Sequence, residues 1–345
     1  MSTTEHEPPE ALTIAVAGAT GFVGRHVVAE LVRRGHTVRA LVRDIDKANR
    51  AFADVEDRSR VVPVQADSIS NDSAARLVGD AQACVNCIGI IREEHGKRFD
   101  ALHVGAVRAL VSACERAEAK SGAFERFIQI SALGVSPEGR ARYQRTKAEG
   151  ERVVRRSLLP WTIFRPSAIV GEGGELTELL RGWARGKAPP FVFMPYFTRR
   201  ADRVWSVWPV ESEDPRVAPV PVVDLARAVA DAFDLGGTVG EIYNVCGHDA
   251  VSWPELLEFV RDHTSGAKPK IQPAGLPAPP AVIAAQIAGI IGIGSLLPFD
   301  PGMASMAAED STADMGKFEA DFGFVPGSFR GVFAPADRAE AAAGT

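Results

Sequence analysis

Gly18-Ala19-Thr20-Gly21-Phe22-Val23-Gly24 lies between an apolar run, Leu12 to Ala17, and an amphipathic stretch that begins at Arg25. That order constrains the chain more than any other feature. A strand must end near Gly18, turn sharply and enter a helix whose first free N–H groups face the turn. Gly18 permits the tight turn, Gly21 lets backbone approach a pyrophosphate, and Gly24 lets the helix pack on the sheet. A helix N-terminus adds partial positive charge there. Thr20, Phe22 and Val23 therefore join the three glycines as candidate contacts to a dinucleotide.

The alternation continues. Arg33-Arg34-Gly35 gives the first helix a basic last turn and a stop, and Thr37 to Val42 reads as a second strand. Val61 to Asp67 reads as strand three, Ser73 to Val78 as a short helix, and Ala83 to Ile91 as strand four. A helical period over Asp100 to Ala119 precedes strand five at Phe124 to Ser131. The charged helix Tyr143 to Arg156 leads to strand six at Trp161 to Pro166. Such a rhythm predicts an α/β chain with a doubly wound parallel sheet.

Past Gly171 the composition shifts to glycine, proline and aromatics, the signature expected of a substrate lobe. A helix from Pro221 through Phe233 and a strand at Glu241 to Val245 return to the main sheet. The expected organisation is a tail over 1–10, a nucleotide-binding domain over 11–168 completed by about 217–247, a small lobe from 169–216 and 248–335, and a tail over 336–345. Pro273 to Pro280 carries four prolines and predicts a stiff connector.

With 345 residues and 46 % hydrophobic content the chain can bury a large core. The net charge of -5, with both signs interspersed, offers no basic stripe and excludes nucleic acid as a partner. Met1 to Glu10 is polar, so the expected compartment is the cytoplasm. Cys84 and Cys87 have C-x-x-C spacing, but they fall in a buried strand with no second such pair, so core packing is expected and no metal site. Ala281 to Leu297 is almost wholly apolar. A helix of that length reaches roughly 25 Å, short of a hydrocarbon core of about 30 Å, which leaves lobe core or a peripheral contact with membrane or a hydrophobic partner.

Strand two ends in Leu41-Val42-Arg43-Asp44, with Arg43 where an NAD-selective site carries an acid. A guanidinium facing a 2′-phosphate favours NADP(H) over NAD(H); the alternative turns Asp44 to the ribose. Asp67 can accept from the adenine amino group or cap a helix. Ile88-Gly89 lets backbone approach the adenosine ribose. Ser131 closes strand five, and Tyr143 and Lys147 follow one helical turn apart on one face. The lysine charge is expected to lower the phenol pKa, making Tyr143 the acid/base. Ser131 is expected to hold a substrate oxygen, and Lys147 to reach the nicotinamide ribose.

Gly18 to Gly24, Ile130-Ser131-Ala132-Leu133-Gly134, Tyr143 through Glu151 and the late Phe322-Gly323-Phe324 resemble the atypical branch of the short-chain dehydrogenase/reductase superfamily. That branch contains the accessory NADPH-binding subunit of mitochondrial complex I and its bacterial relatives. The resemblance implies an NAD(P)-binding Rossmann fold with a small C-terminal substrate lobe. It also implies that Arg165 to Ile169 passes beside the nicotinamide, which makes Pro166, Ser167 and Ile169 cofactor contacts. His103 stands where many relatives carry an asparagine that supports a proton relay. Three functions follow: an NAD(P)-dependent oxidoreductase of an apolar or quinone-like small molecule, a non-catalytic NADPH-binding assembly or sensor protein, or a sugar-nucleotide epimerase/dehydratase. The last would need Arg199, Arg200 and Arg203 for a nucleotide diphosphate.

Overall fold

Seven of the chain's short apolar runs pair side by side, because strands that are apolar on both faces are stable only when both faces are covered. The computed structural model describes residues 11–93, 96–200, 212–278, 302 and 306–334. The strands are β1 (Thr13–Ala17), β2 (Thr37–Val42), β3 (Val61–Gln65), β4 (Ala83–Asn86), β5 (Arg126–Ile130), β6 (Trp161–Pro166), β7 (Ile169–Val170), β8 (Met194–Arg200), β9 (Ser212–Glu213), β10 (Arg216–Val217), β11 (Val220–Pro221), β12 (Glu241–Val245), β13 (Val251–Ser252) and β14 (Pro273–Pro277). The main sheet runs β12-β6-β5-β4-β1-β2-β3, and every pairing in it is parallel. Strand order reverses between β1 and β4, where open α/β sheets bind ligands beyond the carboxyl ends of the strands.

The principal helices are α1 (Phe22–Arg33), α2 (Ile45–Ala51), α3 (Asn71–Val78), α4 (Ala106–Ser121), α5 (Arg142–Arg155), α6 (Glu175–Ala184), α7 (Val222–Asp234) and α8 (Trp253–His263). Val27, Val28 and Leu31 of α1 share one core with Leu225 and Val229 of α7. Arg34, ending α1, ties the two helices through Glu30 at 2.9 Å and Asp231 at 2.5 Å. On the opposite face Leu77 of α3, Leu110 and Cys114 of α4 and Val154 of α5 pack together. The β12 edge is sealed by the short helix Gly316–Phe322, whose Phe318 and Phe322 pack on Tyr243 and Phe164. Tyr243 donates to Asp321 at 2.6 Å, so its hydroxyl is satisfied. A separate core joins Leu180 and Trp183 of α6 to Leu256, Leu257 and Val260 of α8 and to Phe329.

Four expectations are corrected. Strand four stops at Asn86 rather than Ile91, because the Asn86 side chain accepts from the Ile88 N–H at 3.0 Å and curls the chain away. Strand three likewise ends at Gln65. The helix expected from Asp100 opens with a π-helical segment, Asp100–Gly105, before α4. Pro273 to Pro277 is no connector but β14, parallel to β8 at the edge of a three-stranded sheet, where a missing N–H is tolerated. Cys84 is fully buried and faces Cys114, as a core residue should. The apolar stretch 281–297 lies outside the described residues. Among the described residues no helix is long and apolar enough to cross a membrane.

A Cβ at Gly24 would overlap the carbonyl oxygen of Gly18. Gly24→Ala is therefore expected to force α1 off the sheet and cost roughly 3 kcal/mol or more, which thermal unfolding of the two proteins checks.

Candidate active site

The glycine turn after β1 packs against the residues that follow β4. Gly18 has φ +76°, and a Cβ there would stand 2.9 Å from the carbonyl carbon of Cys87. Only glycine tolerates both the backbone and the approach. The Gly21 N–H closes the turn onto the Gly18 carbonyl at 3.0 Å. No side chain caps α1 and no acid occupies its first turn. The first amides of α1, at Phe22 and Val23, are thus left for an external anion, which is what a dinucleotide pyrophosphate supplies. Beside them the Phe22 ring lies under Gly171 and Gly174, and Arg25 reaches the Glu172 carbonyl at 2.5 Å. The cradle fits the pyrophosphate of NAD(P), with Gly18, Thr20, Gly21, Phe22, Val23 and Gly24 as its wall.

At the adenosine end Arg43 is exposed beyond β2. Asp44 is engaged elsewhere: its Oδ1 caps α2 by accepting from the Lys47 N–H at 2.9 Å, and that bond holds the carboxyl below its usual range. Asp67 is exposed after β3 and does not cap α3, since Ser70 does so with Ser73. Ile88 and Gly89 continue the edge. A Cβ at Gly89 would stand 3.2 Å from the Lys147 ammonium, so backbone and cation meet there.

Tyr143 and Lys147 project from one face of α5. Lys147 is 7 % exposed and donates to the Ile130 carbonyl, at the end of β5, at 3.1 Å. Burial lowers its pKa to about 8, opposed by the negative charge of Glu151, so it stays largely protonated at neutral pH. The Lys147 ammonium lies 6.0 Å from the centre of the Tyr143 ring. The phenol departs from expectation: burial pushes it up to about 12 rather than down. Desolvation outweighs a cation 6.0 Å from the ring centre. Tyr143 is consequently a proton donor at rest.

Ser131 also differs. It is 4 % exposed, and its hydroxyl donates to Glu151 Oε1 at 2.5 Å. Glu151 is in turn gripped by Arg165 of β6 through two bonds, at 2.9 and 2.5 Å. The hydroxyl proton expected to anchor a substrate is committed to a buried carboxylate. Ser167 is likewise turned inward, its hydroxyl bonded to the Ala218 carbonyl, so any contact it makes with cofactor falls to backbone. Pro166 ends β6, and Ile169 pairs in β7 with Val220. Arg199, a candidate for a sugar nucleotide, is held by Glu213 at 3.2 Å and Asp310 at 2.9 Å. Arg203 lies outside the described residues.

His103 sits beneath Tyr143 in the π-helical segment. Its ring meets the Tyr143 ring edge-on at 5.4 Å and stacks on Phe99 at 5.1 Å. The Ile90 N–H donates to Nε2 at 3.3 Å, so the ring proton belongs on Nδ1, which faces Thr146 Oγ1 at 2.9 Å. Burial, with the Lys147 charge second, lowers the His103 pKa to about 3. A neutral imidazole therefore supports the tyrosine. Gly150 makes this possible, because a Cβ there would overlap the His103 carbonyl oxygen. Sequence reasoning passed over both Gly150 and Glu151; the signal for the latter was its place one further turn along the Tyr143/Lys147 face.

Comparison with known proteins agrees with this geometry. Residues 18–183 match the family model described as NAD(P)H-binding. The chain is 30 % identical over 260 residues to the ceramide reductase of Caulobacter vibrioides, covering 75 % of this chain and 72 % of that protein. The chain belongs to the atypical short-chain dehydrogenase/reductases. Within that family it is 24 % identical over 254 residues to NADH dehydrogenase (ubiquinone) 1 alpha subcomplex subunit 9, mitochondrial, of Dictyostelium discoideum, covering 74 % of this chain but 64 % of that relative's length. The Bordetella bronchiseptica enzyme WbmH, solved in complex with NAD+, shares the fold with a TM-score of 0.63 at 18 % identity over 97 % of this chain and all of that one.

His103 binds a proton in the unfolded chain from pH 6.5 downward but not in the folded protein until about 3. Stability should therefore rise with pH across that window and be lost as pH falls through it, by about 1.4 kcal/mol per pH unit below 6.5. Denaturant titrations of wild type and His103→Gln between pH 4 and 7 check this; the variant should lose that slope.

Proposed function

We propose that this chain is an NADP(H)-dependent reductase of an apolar carbonyl compound, lipid- or quinone-like, with Tyr143 as the proton donor. The observation that carries the reading is Tyr143 itself, kept protonated by burial next to the Lys147 cation and behind the glycine cradle. NADPH, when bound, supplies the hydride. Tyr143 holds the proton on its hydroxyl and hands it to the substrate oxygen as negative charge develops there. Lys147 lends positive charge to the tyrosinate left behind, which a dry site makes more valuable than water would. Glu151 and Arg165 fix the floor below, and His103 holds the Tyr143 ring from turning.

A reductase of an apolar substrate is favoured by the relative named ceramide reductase, and NADP(H) by Arg43, which is exposed at the β2 end while Asp44 is tied to α2. Four free cysteines suit a reducing compartment, so we infer a cytoplasmic location. A second reading, a non-catalytic NADPH-binding assembly protein, is favoured by the commitment of Ser131 to Glu151 and by the likeness to a respiratory-complex subunit.

Two measurements test the proposal. Arg43→Ala should weaken NADPH binding roughly tenfold or more, the loss of a charge-assisted phosphate contact, while leaving NADH nearly unchanged; equal effects on both would remove the NADP preference. Tyr143→Phe should abolish NADPH oxidation against a panel of long-chain ketones, aldehydes and quinones without weakening NADPH binding. Tight NADPH with no turnover by wild type on that panel would favour the assembly reading.

A further inference from the structure

Away from the cofactor edge, α6 and α8 both end at one tip of the second lobe, and the loops that follow them carry a surface that neither binding nor catalysis explains. Phe191 is 54 % exposed and Val192 69 %. Phe191 sits at φ +67°, a conformation unfavourable for an aromatic residue, so the fold holds it there against its preference. The loop is pinned. Trp183 donates its indole N–H to the Pro189 carbonyl at 2.6 Å, Phe191 donates to Ala188 at 2.8 Å, and Lys187 to Gly182 at 2.8 Å. Two apolar side chains are thus offered to solvent by a fixed projection.

Cations lie on the same loop and on the one beside it. Lys187, Lys268 and Lys270 are exposed and form no ion pair among the described residues, and Arg185 touches only the Ser265 carbonyl, at 3.0 Å through Nε. Gly186 joins the two loops: a Cβ there would stand 3.0 Å from the Phe191 carbonyl oxygen and 3.2 Å from the Lys268 ammonium. The Lys268 N–H also donates to the Ala184 carbonyl at 2.9 Å, and Met194 to Gln272 at 2.9 Å, so the loops enter β8 and β14 side by side. From Arg181 to Phe193 and from Thr264 to Gln272 there is not one Asp or Glu.

We propose that this tip docks on an anionic membrane surface, with Phe191 and Val192 entering the headgroup boundary and Arg185, Lys187, Lys268 and Lys270 lying against lipid phosphates. A projecting apolar pair ringed by flexible cations matches a bilayer, which is soft and uniformly negative, better than a protein partner, which would need a groove to receive it. The docking does not depend on catalysis.

Flotation of the full chain tests it, with vesicles of phosphatidylcholine alone and of phosphatidylcholine mixed with phosphatidylglycerol. Wild type should float with the mixed vesicles at low salt, stay behind with the neutral ones, and be released as salt rises. Lys268→Glu/Lys270→Glu should weaken binding roughly fivefold per lysine or more, and Phe191→Ser/Val192→Ser should weaken it comparably. NADPH binding should survive in both variants, which certifies their folding. Phe191→Trp adds a readout free of charge change, since its emission should shift to the blue on the mixed vesicles alone. Wild type that ignores the mixed vesicles overturns the proposal, as does wild type that ignores them yet binds polyglutamate, which assigns the tip to an acidic protein. Variants that float like wild type overturn it too and move the lipid contact elsewhere.

Discussion

The carbonyl of Gly18 occupies the space that a side chain at Gly24 would fill, and the candidate site depends on that contact. Because α1 can lie this close to the turn, its uncapped N-terminus opens over the switch between β1 and β4 rather than beside it. The same device recurs on the other side of the sheet. Gly150 lets α5 settle against the π-helical segment, with its backbone pressed to His103. That contact sets the rotation of α5, and rotation decides that Tyr143, Lys147 and Glu151 face the end of β5. Two missing methyl groups thus bring the uncapped start of α1 and Tyr143 to one sheet edge.

Charge burial in the site follows a consistent division. Glu151, 3 % exposed, is affordable because a hydroxyl and a forked guanidinium satisfy both of its oxygens. Among the described residues Lys147 has only a carbonyl as direct hydrogen-bond partner, and burial lowers its pKa. Among the described residues no hydrogen-bond donor reaches the Tyr143 oxygen to stabilise its anion, so burial acts on it unopposed. The outcome is an acid beside a cation, suited to receiving a developing alkoxide. An already ionised base would suit the reverse reaction. Around this core Arg142 bonds to Glu93 and Asp100, and Gln144 reaches Glu309 at 2.9 Å, so both flanking loops are tied to the first turn of α5.

Local pattern carried the sheet and the glycine turn, because the inner strands β1, β4, β5 and β6 are buried over most of their length and helices such as α1 and α7 show one apolar stripe. Features set by distant partners were hidden. β14 looks like a proline connector until β8 is found beside it, and the π-helical turn arises from a fit with α5 that no periodicity encodes. Ser131 was visible as the end of β5, but the side on which its hydroxyl falls depends on Glu151, twenty residues later. Charge-based reasoning on Tyr143 failed for a related reason: spacing places a lysine near a tyrosine, but the depth at which both are buried depends on how α5 packs against β5 and the π-helical segment.

Cofactor choice turns on competition for one carboxylate. Were Asp44 free, two residues past the β2 end, it could accept from ribose hydroxyls while repelling a 2′-phosphate. The start of α2 competes for it, since the amide at Lys47 needs an acceptor and Asp44, as the N-cap, gives it Oδ1. The cap lowers the energy of the ionised carboxylate, so leaving it to bind ribose would cost the helix its first hydrogen bond. Arg43 has no comparable obligation. On the proposed NADP(H) reading, the helix that follows β2 favours a phosphate by engaging the acid rather than by adding a base.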